Sequence, residues 1–63
     1  MSKEKLEFCL NMLEVSITYR LRETYNFYEM KAKRYMTRSL YFHELEDRFK
    51  QLQKQAREVF KNE

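Results

Sequence analysis

Apolar residues recur at helical spacing through the first half of the chain. At about 100° per residue they fall within one stripe that continues for about eight turns. The stripe contains Leu6, Leu10, Leu13, Ile17, Leu21, Tyr28, Ala32 and Met36. Ser2 can cap the start of this helix, and Thr37 and Ser39 are each able to cap a following one. The pattern predicts a long first helix over residues 3–36, followed by a turn.

A second apolar stripe occupies the rest of the chain. Its members alternate at spacings of three and four, the pattern of a coiled-coil seam. They are Phe42, Leu45, Phe49, Leu52, Ala56 and Val59. On the polar side, Glu44 with Arg48 and Glu46 with Lys50 have the i, i+4 spacing of favourable ion pairs. We therefore expect a second helix over residues 40–61 and a helical hairpin within one small domain, residues 1–63.

A competing break lies inside the predicted first helix. Residues 24–27, Thr-Tyr-Asn-Phe, have modest helix propensity, and Asn26 and Glu29 are spaced like a capping box. Three helices with a break near residues 24–26 are therefore the alternative to the two-helix hairpin.

Composition narrows the fold class. The 63 residues include neither Gly nor Pro, so no residue adopts a positive φ without steric cost, which disfavours tight hairpin turns and phosphate-cradling loops. The composition therefore predicts an all-α fold.

A chain this short buries only about 60% of the surface that its unfolded form exposes. One Cys and one His cannot supply a disulfide or a metal site within a monomer, so we expect support from a partner chain.

The first helix carries more apolar surface than one neighbour can cover. A second apolar sector lies about 150° around its axis from the main stripe. We assign a protein interface to seven residues of this sector: Phe8, Met12, Val15, Tyr19, Phe27, Met30 and Tyr35. The second helix has a single stripe and covers one side only. We expect a second copy to cover the other side, giving a homodimeric four-helix bundle, or else another protein. The alternative is that three short helices hide most of this surface within a monomer.

The middle of the chain is basic. The formal charge is −1 over residues 1–19, +4 over residues 20–38 and zero over residues 39–63. Basic side chains among tyrosines can grip phosphates and stack on bases. The candidate nucleic-acid contacts are Arg20, Lys31, Lys33, Arg34 and Arg38. A solvated helical face is the simpler explanation of the same charges.

The sequence offers little for catalysis. No Ser, Thr or Cys has a base at a recognisable spacing, and His43 has no second ligand at i+4. We therefore expect no catalytic residues, no metal, no cofactor and no small-molecule substrate.

No apolar run exceeds three residues, whereas a membrane span needs about twenty. We see no secretory signal, and an unpaired Cys9 between Phe8 and Leu10 fits a reducing compartment, so a cytoplasmic location is expected.

These observations favour a non-enzymatic helical protein–protein interaction module, such as a small regulator, inhibitor, adaptor or co-chaperone, that acts through the apolar and aromatic face of the first helix. The alternative is a dimeric regulator that binds RNA or DNA through residues 20–38.

Overall fold

The protein is a bundle of three helices. A computed structural model describes residues 2–38 and 43–61. The helices are α1 (Ser2–Thr18), α2 (Arg22–Arg38) and α3 (His43–Phe60), and the described ranges contain no strand. The all-α prediction is confirmed. A continuous first helix over residues 3–36 is wrong, because this segment is divided by a turn at residues 19–21. The alternative of three helices has the right number but places the break, near residues 24–26, several residues too late.

Backbone geometry ends α1 at this turn. Arg20 has a φ of 58°, in the left-handed region. The Leu21 N–H donates to the Ser16 carbonyl at 2.7 Å, and the Arg20 N–H donates to the Ile17 carbonyl at 3.2 Å. This pair of bonds is the Schellman motif, which usually has Gly at the left-handed position. Here arginine takes that position without a glycine in the chain.

The sequence before the turn weakens the helix locally. Residues 15–18, Val-Ser-Ile-Thr, contain three β-branched side chains, whose restricted χ1 lowers helix propensity. The Ser16 hydroxyl donates to the Leu13 carbonyl at 2.8 Å, and the Thr18 hydroxyl donates to the Glu14 carbonyl at 3.0 Å. Such bonds mildly destabilise and bend a helix. The break therefore follows the β-branched run, while Asn26 lies inside α2.

The core is built around α1, which packs against both α2 and α3. The buried hydrophobic residues are Leu6, Cys9, Leu10, Leu13, Ile17, Tyr25, Ala32, Leu45, Phe49, Leu52, Ala56 and Phe60. The first four members of the predicted main stripe, and Ala32, are among them. Leu21 is instead 45% exposed, because it lies in the turn, and Tyr28 and Met36 are only partly buried. Cys9 is buried with these side chains as a free cysteine.

The predicted stripe of α3 forms most of its buried side. Val59 is only partly buried, while its neighbour Phe60 joins the core, and the predicted Phe42 lies outside the described residues. The Arg48 guanidinium donates to Asn11 Oδ1 at 2.8 Å and to Glu14 Oε1 at 3.2 Å, which ties α3 to α1. Lys50 Nζ lies 4.0 Å from Glu46 Oε2, which forms the ion pair that their i, i+4 spacing predicts.

We expect Arg20→Gly to raise the free energy of unfolding by about 0.5–1 kcal/mol. A residue with a Cβ is strained at positive φ, although glycine gains more freedom in the unfolded chain. Urea and thermal unfolding will measure the change. Arg20→Ala is the matched control, since it removes the charge and keeps the Cβ. A loss of stability in the glycine variant, or an equal gain in the alanine variant, would contradict this account of the turn.

Candidate protein-interaction face

Five of the seven predicted interface residues are exposed. Their exposed fractions are 56% for Phe8, 41% for Val15, 70% for Tyr19, 53% for Phe27 and 61% for Met30. Met12 and Tyr35 are half-buried. Packing within one chain therefore leaves most of the second apolar sector in contact with solvent.

The break at residues 19–21 folds this sector onto two neighbouring helices. On α1, Phe8, Met12 and Val15, with Tyr19 just beyond the helix, lie within about 60° of one another. The Phe8 ring meets the Tyr28 ring of α2 edge-to-face, with centroids 6.0 Å apart. The outer aromatic residues of α1 and α2 therefore meet along one side of the molecule.

On α2, the aromatic contacts continue from Tyr28 to the more exposed Phe27. The Tyr28 and Phe27 rings are in edge contact at 5.0 Å, and Lys31 Nζ lies 5.0 Å from the centroid of the Phe27 ring, a cation–π geometry. Met30 lies about 60° around α2 from Phe27, on the side away from Tyr28. We define the apolar face by the residues that follow the α1–α2 boundary: Phe8, Met12, Val15, Tyr19, Phe27, Tyr28 and Tyr35.

A groove of about 390 Å³ runs between the two helices at the Phe8 end of the apolar face. Its lining residues are Glu4, Lys5, Phe8, Cys9, Tyr28, Lys31 and Tyr35. Burial raises the pKa of the Cys9 thiol, and the nearby Lys31 ammonium offsets part of this rise. The thiol therefore stays protonated at neutral pH and is a poor nucleophile. The groove combines aromatic rings with two lysines and one carboxylate.

Tyr28 is a member of the face that the sequence pattern does not predict. On a single continuous helix, Tyr28 belongs to the main stripe and points towards the core. After the break, it contacts Phe8 on one side and Phe27 on the other. No local signal marks Tyr28, because its position depends on where α1 ends.

The candidate nucleic-acid contacts are spread over different surfaces. Lys31, Lys33 and Arg34 are exposed on α2, but Lys31 and Lys33 are about 200° apart around the helix and face opposite sides. Arg20 lies in the turn and Arg38 is the last residue of α2. The five cations therefore do not share one face of the helix.

A second concavity, of about 670 Å³, separates α2 from α3. At its base, the Tyr25 hydroxyl donates to Glu29 Oε2 at 3.3 Å, and Gln53 Nε2 donates to the same oxygen at 3.0 Å. The Tyr25 ring packs 5.6 Å from the Phe60 ring. Burial, and then the Glu29 carboxylate, raise the pKa of Tyr25 above its usual range. These polar groups satisfy one another and join the two helices.

Within residues 2–38 and 43–61, no three His, Cys, Asp or Glu side chains are grouped to hold a metal ion. The same part of the chain has no helix with the length and apolar content of a membrane span. No protein-family model, curated protein or solved structure matches the chain.

Tyr25→Phe tests the polar contact between α2 and α3. Since the folded-state pKa of Tyr25 is raised, its stabilising effect is complete below about pH 10, the pKa of an unfolded tyrosine, and is lost as the pH rises further. We expect the variant to lose about 0.5–1.5 kcal/mol of stability at pH 7 and the difference from the parent protein to shrink towards pH 11. Urea unfolding at both pH values measures this. Tyr19→Phe, at an exposed ring, is the control, and a pH-independent difference for Tyr25→Phe would refute the assignment.

Proposed function

We propose that this chain is a non-enzymatic protein–protein interaction module that binds a helix of another protein through the apolar face. The observation that carries the proposal is the exposure of a contiguous aromatic surface along the α1–α2 boundary. A small regulator, inhibitor, adaptor or co-chaperone would act through such a surface.

The size of the apolar face supports this function. Taking about 200 Å² for an aromatic side chain, the exposed fractions of Phe8, Tyr19 and Phe27 leave about 360 Å² in contact with solvent. The largest apolar patch on a typical monomer is about 300–600 Å² and is often functional. Met12, Val15 and Tyr28 enlarge the same surface. Aromatic residues and Met are also the types enriched at the centres of protein interfaces.

The charged residues beside the apolar face indicate what kind of partner would bind there. Lys5 and Lys31 line the groove beside Phe8, and among the described residues Glu4 is the one acidic residue of its lining. An amphipathic helix with carboxylates next to its apolar stripe would complement this arrangement. We therefore propose an acidic amphipathic helix as the occupant.

The competing function, binding of RNA or DNA through residues 20–38, has less support. Phosphate contacts need several cations on one surface, and Lys31 and Lys33 project from opposite sides of α2. Lys31 Nζ also lies 5.0 Å from the centroid of the Phe27 ring, at the edge of the apolar face.

Site-specific photo-crosslinking in the cells that produce the protein tests the proposal. The full chain carries benzoylphenylalanine in place of Phe8 or, as a control on the exposed side of α3, in place of Gln55. We expect a discrete adduct with another protein from position 8 and not from position 55. Val15→Lys in the same chain should reduce the adduct by about tenfold or more, because it puts a charge into the apolar face one to two turns from Phe8.

Val15 is 41% exposed, so the lysine variant should fold with its stability changed by no more than about 0.5 kcal/mol. Circular dichroism and thermal unfolding check this. The proposal fails if position 8 yields no adduct, an adduct with a second copy of the chain only, or the same adducts as position 55.

A further inference from the structure

The concavity of about 670 Å³ between α2 and α3 is lined by residues that all lie outside the apolar face. Two contacts cross it, one between Glu29 and Gln53 and one between Tyr25 and Phe60. Tyr25 precedes Glu29 on α2, whereas Phe60 follows Gln53 on α3, so the two helices run antiparallel. The N-terminal end of α2 therefore lies beside the C-terminal end of α3.

Three cations meet at this end of the concavity. Arg22 on α2 and Arg57 and Lys61 on α3 are among its lining residues. At about 1.5 Å per residue, Arg22 lies about 10 Å along α2 from Glu29. In the same direction, Arg57 and Lys61 lie about 6 Å and 12 Å along α3 from Gln53. Since Glu29 and Gln53 are in contact, all three cations leave their helices within about 6 Å of one another along the bundle axis.

Two of these cations have no acidic partner in the part of the chain that the structure describes. Lys61 Nζ lies 3.5 Å from Glu58 Oε1, which balances its charge. In the same described residues, by contrast, no ion pair or hydrogen bond involves the side chain of Arg22 or Arg57. A guanidinium group keeps its charge at any physiological pH. Two positive charges at this end of the concavity are therefore left for a ligand.

The base of the concavity is apolar. Tyr25, Ala56 and Phe60 line it and are at most 8% exposed. Arg57 lies close to this base: burial and the Glu29 carboxylate raise the pKa of Tyr25, and the Arg57 charge offsets part of this rise. The Glu29 carboxylate lies at the other end, where it would repel a second anionic group. A ligand with one anionic end and a neutral, apolar body therefore complements the concavity.

We infer that the concavity between α2 and α3 binds a small phosphate monoester, with Arg22 and Arg57 on the phosphate and the apolar body of the ester over the Tyr25 and Phe60 rings. A phosphate monoester has three terminal oxygens and can accept paired hydrogen bonds from two guanidinium groups, whereas a carboxylate has two oxygens and fits one. Its charge of about −2 balances both arginines. The volume lies within the range of about 300–1,000 Å³ of small-molecule sites.

This inference goes beyond the proposed function, since it concerns another surface and another class of ligand. No sequence motif indicates such a ligand, because Arg22 and Arg57 come together only in the folded chain.

Titration of the full chain with phenyl phosphate, followed by ¹H–¹⁵N NMR in low salt at about pH 7.5, where the phosphate is a dianion, tests the inference. We expect a dissociation constant of about 0.1–1 mM, as suits so small a ligand. The Nε–H signals of Arg22 and Arg57 should shift. Inorganic phosphate and benzoate should each bind at least about fivefold more weakly, because the first has no apolar body and the second fits one guanidinium group.

Arg22→Gln and Arg57→Gln should each weaken the binding of phenyl phosphate by about tenfold, because each removes charge-assisted hydrogen bonds to the phosphate. Lys33→Gln is the matched control. It makes the same change in net charge at an exposed position of α2 that does not line the concavity, and it should leave the dissociation constant within about twofold. Circular dichroism verifies the fold of each variant, all of which replace exposed side chains.

The inference is overturned if phenyl phosphate does not bind at about 20 mM. Equal affinities for phenyl phosphate and either inorganic phosphate or benzoate overturn it as well. So does an unchanged affinity in either arginine variant, or an equal loss in Lys33→Gln, which would show attraction to net charge alone. None of these results affects the crosslink from position 8 to another protein, so the proposed function and this inference fail independently.

Discussion

Burial of α1 between two neighbours is the constraint on which the rest of the structure depends. Leu6, Leu10 and Leu13 are at most 1% exposed, and their side chains hold α2 on one flank and α3 on the other. Residues 2–38 and 43–61 form three helices, and none of these covers the remaining flank of α1. The apolar residues on that flank stay in contact with solvent, where their burial by a partner would contribute about 25 cal/mol per Å².

The turn at Arg20 determines how the exposed apolar residues are arranged on the surface. It lets α2 fold back beside α1, so that the outer residues of two helices meet through Phe8, Tyr28 and Phe27. Without the turn, the same residues would line one side of a single long helix, which no compact partner covers over its whole length. The turn at Arg20 therefore makes the apolar face two helices wide.

Much of the fold can be read from the sequence, because its strongest signals are local. The lack of Gly and Pro predicts helices, and the spacing from Leu45 to Ala56 predicts the buried side of α3. The end of α1 is not predicted, because the apolar stripe continues through Ile17 and Leu21 at helical spacing and no Gly marks the left-handed position that Arg20 takes. On a continuous helix Leu21 and Tyr28 belong to the buried stripe, whereas the turn leaves Leu21 exposed and Tyr28 only partly buried. The exposure of Phe8, Val15 and Phe27 was predictable, because no second stripe in the chain was available to cover them.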